Sequence, residues 1–196
     1  LVASGLSLIY GLMGVLNFAH GSFLTLGAFA GFEFARRFGG DRWEVFLASL
    51  VLGAAVGAVF AALTELLLIR RLYERHIEQA LVTVGLSLAT VALFEGIWGT
   101  DPTFVAAPEW LGGTTEILGA TIPNNRFVLI AAAALVLVGI VCFLRFTRFG
   151  LIIRAGVENR SMVTALGIDV RKAFTVVFAI GGAAAGLGGV LASQYF

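Results

Sequence analysis

Residues 145–172 read RFTRFGLIIRAGVENRSMVTALGIDVRK, a polar interruption between two long apolar runs. Arg145, Arg148, Arg154, Arg160, Arg171 and Lys172 stand there against only Glu158 and Asp169. A basic loop between apolar runs of membrane-spanning length stays on the cytoplasmic side. The flanking runs, 127–144 and 173–192, are uncharged and long enough to cross a hydrocarbon core of about 30 Å. This reading makes the chain a polytopic membrane protein.

Composition agrees. The chain is 59% hydrophobic and 13% charged, with a mean hydropathy of +0.98. A soluble domain carries roughly a quarter charged residues. Net charge is +1 and the basic residues sit in loops, so no nucleic-acid partner is expected. Cys142 lies inside an apolar run and is expected to be a small buried hydrophobe. The chain begins and ends in or beside apolar sequence, and a fragment of a longer protein is expected.

Working back from residue 145, spans are expected at 80–98 and 45–64. The run 1–32 holds no charged residue, and as one helix it would be about 48 Å long. That exceeds the hydrocarbon core, so a break is expected at Asn17-Phe18-Ala19-His20-Gly21. Residues 1–16 would then form one segment and 21–35 a second, short one. The segment 101–126 carries Asp101, Glu109 and Glu116 against Arg126, and it holds all three prolines. It is assigned outside. Parity then puts 70–79 inside and 36–42 outside, although each holds three arginines. The fold class is therefore all-α: a single polytopic transmembrane helical bundle over 1–196, with a broken first hydrophobic segment and a short amphipathic cytoplasmic helix.

That last helix is read over 154–168. Val157, Ser161 and Thr164 fall at i, i+4 and i+7, Met162, Ala165 and Leu166 supply an adjacent apolar face, and Gly167 supplies the stop. An apolar stripe on a water-exposed loop either docks on a partner protein or lies on lipid headgroups. Asn17 and His20 put polar groups at membrane depth, where they contact a passing solute or cap the break and bond internally. Thr83 and Ser87, four apart, line a path or bond back to carbonyls one turn earlier. Glu65 is expected to pair with Arg70 or Arg71, and Glu95 to reach interfacial water. Gly182, Gly186 and Gly189, with Ala185, follow small-xxx-small spacing, a surface for close helix packing or for sliding. No nucleophile–base set or metal-ligand cluster is apparent. No Gly-x-x-x-x-Gly-Lys-[Ser/Thr] loop is present to cradle ATP phosphates. No catalytic residue, metal or cofactor is expected on this chain.

Three stretches together carry a resemblance. The first is Gly5-Leu6-Ser7-Leu8-Ile9-Tyr10-Gly11 with Gly14 to Gly21 and Leu26-Gly27-Ala28. The second is Leu81-Val82-Thr83-Val84-Gly85-Leu86-Ser87. The third runs from Arg148-Phe149-Gly150 through Arg154-Ala155, Glu158-Asn159 and Ala165-Leu166-Gly167-Ile168 to the glycine-rich helix. Their order resembles the permease subunits of branched-chain amino acid ABC importers, the LivH/LivM type and more nearly LivH. The chain looks about two thirds complete relative to such permeases. The resemblance implies a multi-pass protein of the bacterial inner membrane and not an enzyme. It would act with cytoplasmic ATPase subunits, a second permease subunit and a periplasmic substrate-binding protein. It also implies that Arg154, Ala155, Glu158, Asn159, Ala165, Gly167 and Ile168 couple to the ATPase. Asn17, His20, Gly21, Thr83 and Ser87 are the path candidates, and Gly182, Gly186 and Gly189 the packing residues. A urea or short-amide permease is the alternative cargo. A secondary transporter or channel without ATPase is the alternative class, and it would want ionisable residues inside the spans.

Overall fold

The computed structural model describes residues 1–73, 75–99, 108–117 and 120–194. In chain order these form α1 (Val2–Met13), α2 (His20–Phe38), α3 (Trp43–Leu67), a 3₁₀ turn (Ile69–Leu72) and α4 (His76–Trp98). There follow α5 (Glu109–Gly112), the antiparallel ribbon β1 (Thr114–Ile117) and β2 (Ala120–Pro123), α6 (Asn125–Phe146), α7 (Arg148–Glu158), α8 (Arg160–Ala165) and α9 (Val170–Ala192). Among the described residues α3, α4, α6 and α9 are long and apolar enough to cross a membrane. Asp101 and Pro102 of the acidic segment lie outside the described residues.

The glycine-rich α9 is the centre of the bundle. Gly182 meets Gly57 and Ala61 on α3, and Gly186 meets Gly53 and Gly57. Gly189 meets the backbone of Leu24 and Ala28 on α2, and Gly181 meets Gly5 and Ile9 on α1. Glycine is chosen here because backbone rests on backbone. A Cβ on Gly27 or Gly182 would overlap main-chain atoms of the facing helix. Such contact replaces the hydrophobic drive that a lipid solvent does not supply. Phe23, Phe46, Phe178, Ile9 and Val177 fill the remaining core. α6 buries no residue, so Cys142, expected inside, sits exposed on its surface.

Ring contacts group the loops at the two ends of the bundle. Trp43, the first residue of α3, lies 6.1 Å from Trp110 of the acidic segment. At the other end Tyr73 stands edge-on to Phe174, 5.6 Å away, at the start of α9. The two loops assigned outside therefore share one face of the bundle, and the two assigned inside share the other.

The first apolar run breaks at 14–19, three residues earlier than expected, and α2 is longer than expected. Gly14 explains the shift: it adopts φ 65° and its N–H closes on Tyr10 O at 2.8 Å, a left-handed helix stop. The β1–β2 ribbon was not anticipated. Its strands are four residues each, too short for an alternation signal.

Candidate functional site

The break supplies irregular backbone inside the bundle, which membranes tolerate where it is packed in protein or lines a cavity. Asn17 Oδ1 accepts from Ala19 N at 3.1 Å, fixing the amide so that Nδ2 points away. Asn17 is 4% exposed and Nδ2 has no partner among the described residues. Phe18 N donates to Thr83 Oγ1 at 3.2 Å, so the break is tied to α4. Thr83 in turn donates to the Gln79 and Ala80 carbonyls one turn earlier.

Gln79 and His20 join Asn17 as buried polar groups with spare valence among the described residues. Gln79 Nε2 donates to Leu72 O, leaving Oε1 unpaired in a side chain 1% exposed. His20 Nε2 lies 3.1 Å from Val2 O. A carbonyl only accepts, so Nε2 carries the hydrogen and the unpartnered Nδ1 of the neutral ring is a bare acceptor. An unsatisfied buried amide or imidazole costs about 1–3 kcal/mol, so such groups in a native fold need an explanation.

A seam between α2 and α4 continues from this point. Gln79, Thr83, Thr90 and Phe94 are the buried face of α4. Ser22 on α2 bonds Thr90 at 2.5 Å. Further along, Phe29 stacks on Trp98 at 4.5 Å and approaches Phe94 at 5.6 Å. Sequence reasoning singled out Thr83 and Ser87 on α4. Thr90 and Gln79 were missed, although 79, 83 and 90 share one helical face. Ser87 is half-buried, and its carbonyl accepts from Thr90. Gly21 is exposed, with open space where a Cβ would stand.

At the end of the bundle where Tyr73 meets Phe174, Glu65 is wholly buried and gathers three elements. It pairs with Arg70 at 3.2 Å, accepts from Thr175 Oγ1 of α9 at 2.7 Å, and accepts from Tyr73 OH. The hydrogen bond from Arg70, more than charge attraction, holds the guanidinium above its ordinary pKa. Thr175 lies 110 residues away in sequence, and nothing local announces it. Replacing Arg70 with Met removes both guanidinium hydrogen bonds from a buried carboxylate. The expected loss is about 1–3 kcal/mol, towards the lower end because Arg70 is partly exposed. Thermal unfolding in detergent measures it.

Residues 145–172 form two helices where one was expected over 154–168. Asn159 leaves helical geometry, and its side chain caps α8 by accepting from Met162 N at 3.0 Å. The two helices are held by Ile153 and Val163, both buried, and by Gly156 against Val170. Val163 joins Val170, Phe174, Met13 and Tyr73 in one cluster. Arg154, Ala155, Glu158, Asn159, Ala165 and Gly167 are exposed, as is Ile168. So are Val157, Met162 (62%) and Leu166 (70%), which leaves an apolar knuckle facing out from the loop.

A family model described as branched-chain amino acid transport system / permease component matches residues 1–196. The chain belongs to this family. Among curated relatives, the high-affinity branched-chain amino acid permease LivH of Salmonella typhimurium is 28% identical over all of the chain and 66% of its own length. A probable branched-chain amino acid permease LivH of Methanocaldococcus jannaschii is 30% identical, covering 97% of the chain and 61% of the relative. The fructose import permease FruF of Bifidobacterium longum is 28% identical over 98% of the chain and 51% of its own length. The chain thus spans 66% or less of these relatives. No solved structure matches it. For a permease-family chain, the helix break, with its spare polar atoms, and the exposed knuckle are the two features that packing alone does not explain. Cargo does not follow from family membership, since FruF shares the family's sequence pattern across nearly the whole chain.

Proposed function

We propose that this chain is the permease of an ABC importer that moves branched-chain or other small hydrophobic amino acids across the bacterial inner membrane. ATP is hydrolysed on separate cytoplasmic subunits, which dock on α7 and α8. A second permease subunit and a periplasmic binding protein complete the importer. The bare faces of α4 and α6 meet the second subunit or lipid. The outer segment around Trp110 receives the binding protein.

The observation that carries the reading is the join between the knuckle and the break. Val163 of α8 packs in the same cluster as Met13, the last residue of α1 before the break, and as Tyr73, which bonds Glu65. A push on α8 is therefore delivered to the inner ends of α1, α3 and α9 through packed side chains, without a flexible linker. The break offers a donor at Asn17 and an acceptor at Gln79 near the α4 seam, a weak polar step suited to a zwitterion in transit.

Two experiments test this. Full-length protein purified from its native membranes is expected to carry an ATPase subunit with it, and Leu166→Glu is expected to lose that subunit while remaining folded. Retention of the ATPase by the variant contradicts docking on the knuckle. Asn17→Ala is expected to lower uptake at least ten-fold, and normal uptake kinetics would leave Asn17 with its capping role alone.

A further inference from the structure

The outer half of the α2–α4 seam opens into a cavity of about 410 Å³ between α2, α3 and Trp98. That is within the usual range for a small-molecule site. Leu26, Phe29, Phe34, Leu52 and Trp98 give it an apolar wall. Its charged lining residues are Glu33 and Arg37, one helical turn apart on α2. Glu33 Oε1 takes both hydrogen bonds, from Arg36 Nη2 at 2.9 Å and from Arg37 Nε at 3.1 Å. Glu33 Oε2 and both terminal nitrogens of Arg37 make no hydrogen bond among the described residues, and the Arg37 side chain is 69% exposed at the cavity mouth.

We infer that this cavity is an entry site for a zwitterionic amino acid with an aliphatic side chain. The inference rests on the amino-acid reading of the cargo and places its recognition. Arg37 offers its terminal N–H groups to the substrate carboxylate, and Glu33 Oε2 accepts from the ammonium. The aliphatic side chain lies on Leu26, Phe29 and Trp98. A sugar would find only Glu33 and Arg37 as polar side chains in this wall, too few for its several hydroxyls, and the rest would lie unpaired against apolar side chains. Urea has neither the separated charges nor the apolar body to fill the site. The stripe Ser22, Leu26, Phe29 and Glu33 lies on one face of α2. A solute leaving the cavity inward therefore meets Ser22 and Thr90, and then the break.

The test uses full-length protein in detergent and equilibrium binding of radiolabelled leucine, with analogues as competitors. Isoamylamine lacks the carboxylate and 4-methylpentanoate lacks the ammonium. Arg37→Gln is expected to weaken leucine at least ten-fold and to leave isoamylamine unchanged. Glu33→Gln is expected to weaken leucine and isoamylamine and to leave 4-methylpentanoate unchanged. Leu26→Trp, which fills the cavity without touching the charges, is expected to exclude leucine more than alanine. Wild-type leucine binding that survives all three substitutions overturns the site and leaves the cargo reading intact. Uniform weakening of every competitor by each variant also overturns it, because the ion pair would then be structural. Saturable wild-type binding of fructose or urea in place of leucine overturns both the cargo reading and the site. A groove filled by phospholipid gives no saturable leucine binding and overturns the site, even where leucine uptake by the assembled importer persists.

Discussion

Gly186→Val is expected to prevent the bundle from forming. Gly186 sits where α2, α3 and α9 come together. The Gly53 carbonyl oxygen overlaps the position its Cβ would take, and Gly57 Cα lies 3.2 Å away. From the other side, a Cβ on Gly27 would overlap Gly186 itself. Overpacking a core costs about 1–3 kcal/mol when side chains can rotate aside. Here the obstacles are main-chain atoms of neighbouring helices, so relief requires the helices to part along their whole contact. A loss of at least about 3 kcal/mol is a large share of the 5–15 kcal/mol that holds a typical domain. Size-exclusion profile and thermal unfolding in detergent measure it. Gly139→Ala on α6 is the control, because open space surrounds that glycine. Equal stability of the two variants would mean that α9 is not the packing centre.

The second large effect is expected at Gly167. Its φ of +79° is closed to proline, whose ring fixes φ near −65°. Its N–H also closes α8 by bonding Thr164 O at 2.9 Å. Gly167→Pro therefore redirects Leu166 and Ile168, the exposed end of the knuckle, while leaving the buried faces of α7 and α9 in place. In vesicles holding the complete importer, ATP hydrolysis is expected to continue while uptake falls at least ten-fold. Glu158→Lys, which reverses an exposed charge on the same surface, is expected to act in the same direction with less effect. Coupled transport unchanged by Gly167→Pro would remove the knuckle from the power stroke.

Much of this architecture was legible because lipid simplifies the problem. Uncharged runs of spanning length leave a helix as the default, so α3, α4, α6 and α9 follow from where the charges stop. The break followed from length alone, since residues 1–32 exceed one bilayer crossing. Its second half, Asn17 to Ala19, lies where the polar residues place it, but its start was missed because Asn17 and His20 drew attention while the first helix stops at Gly14. Asn159 was invisible as a divider. An Asn inside a helical pattern is common, and its capping bond to Met162 declares itself only in three dimensions. The same limit hid the partners of Glu65: Arg70 and Tyr73 are near in sequence, but Thr175 is joined by the fold. Cys142 shows the reverse error. In water an apolar run predicts burial, and in a bilayer it predicts only depth, so α6 is uncharged from 127 to 144 and buries nothing. The seam on α4 was half legible, through Thr83 but not Thr90. Its partners on α2 become visible once the two helices are set side by side.

We propose that the full-length protein imports an aliphatic amino acid through a path beside α2. The most direct measurement is accumulation of radiolabelled leucine by cells that carry or lack the intact gene, with valine, isoleucine, fructose and urea as competitors. The account predicts saturable, energy-dependent accumulation that requires the gene and yields to valine and isoleucine but not to fructose or urea. Leucine accumulation indifferent to the gene, with fructose or urea uptake dependent on it, would contradict the account.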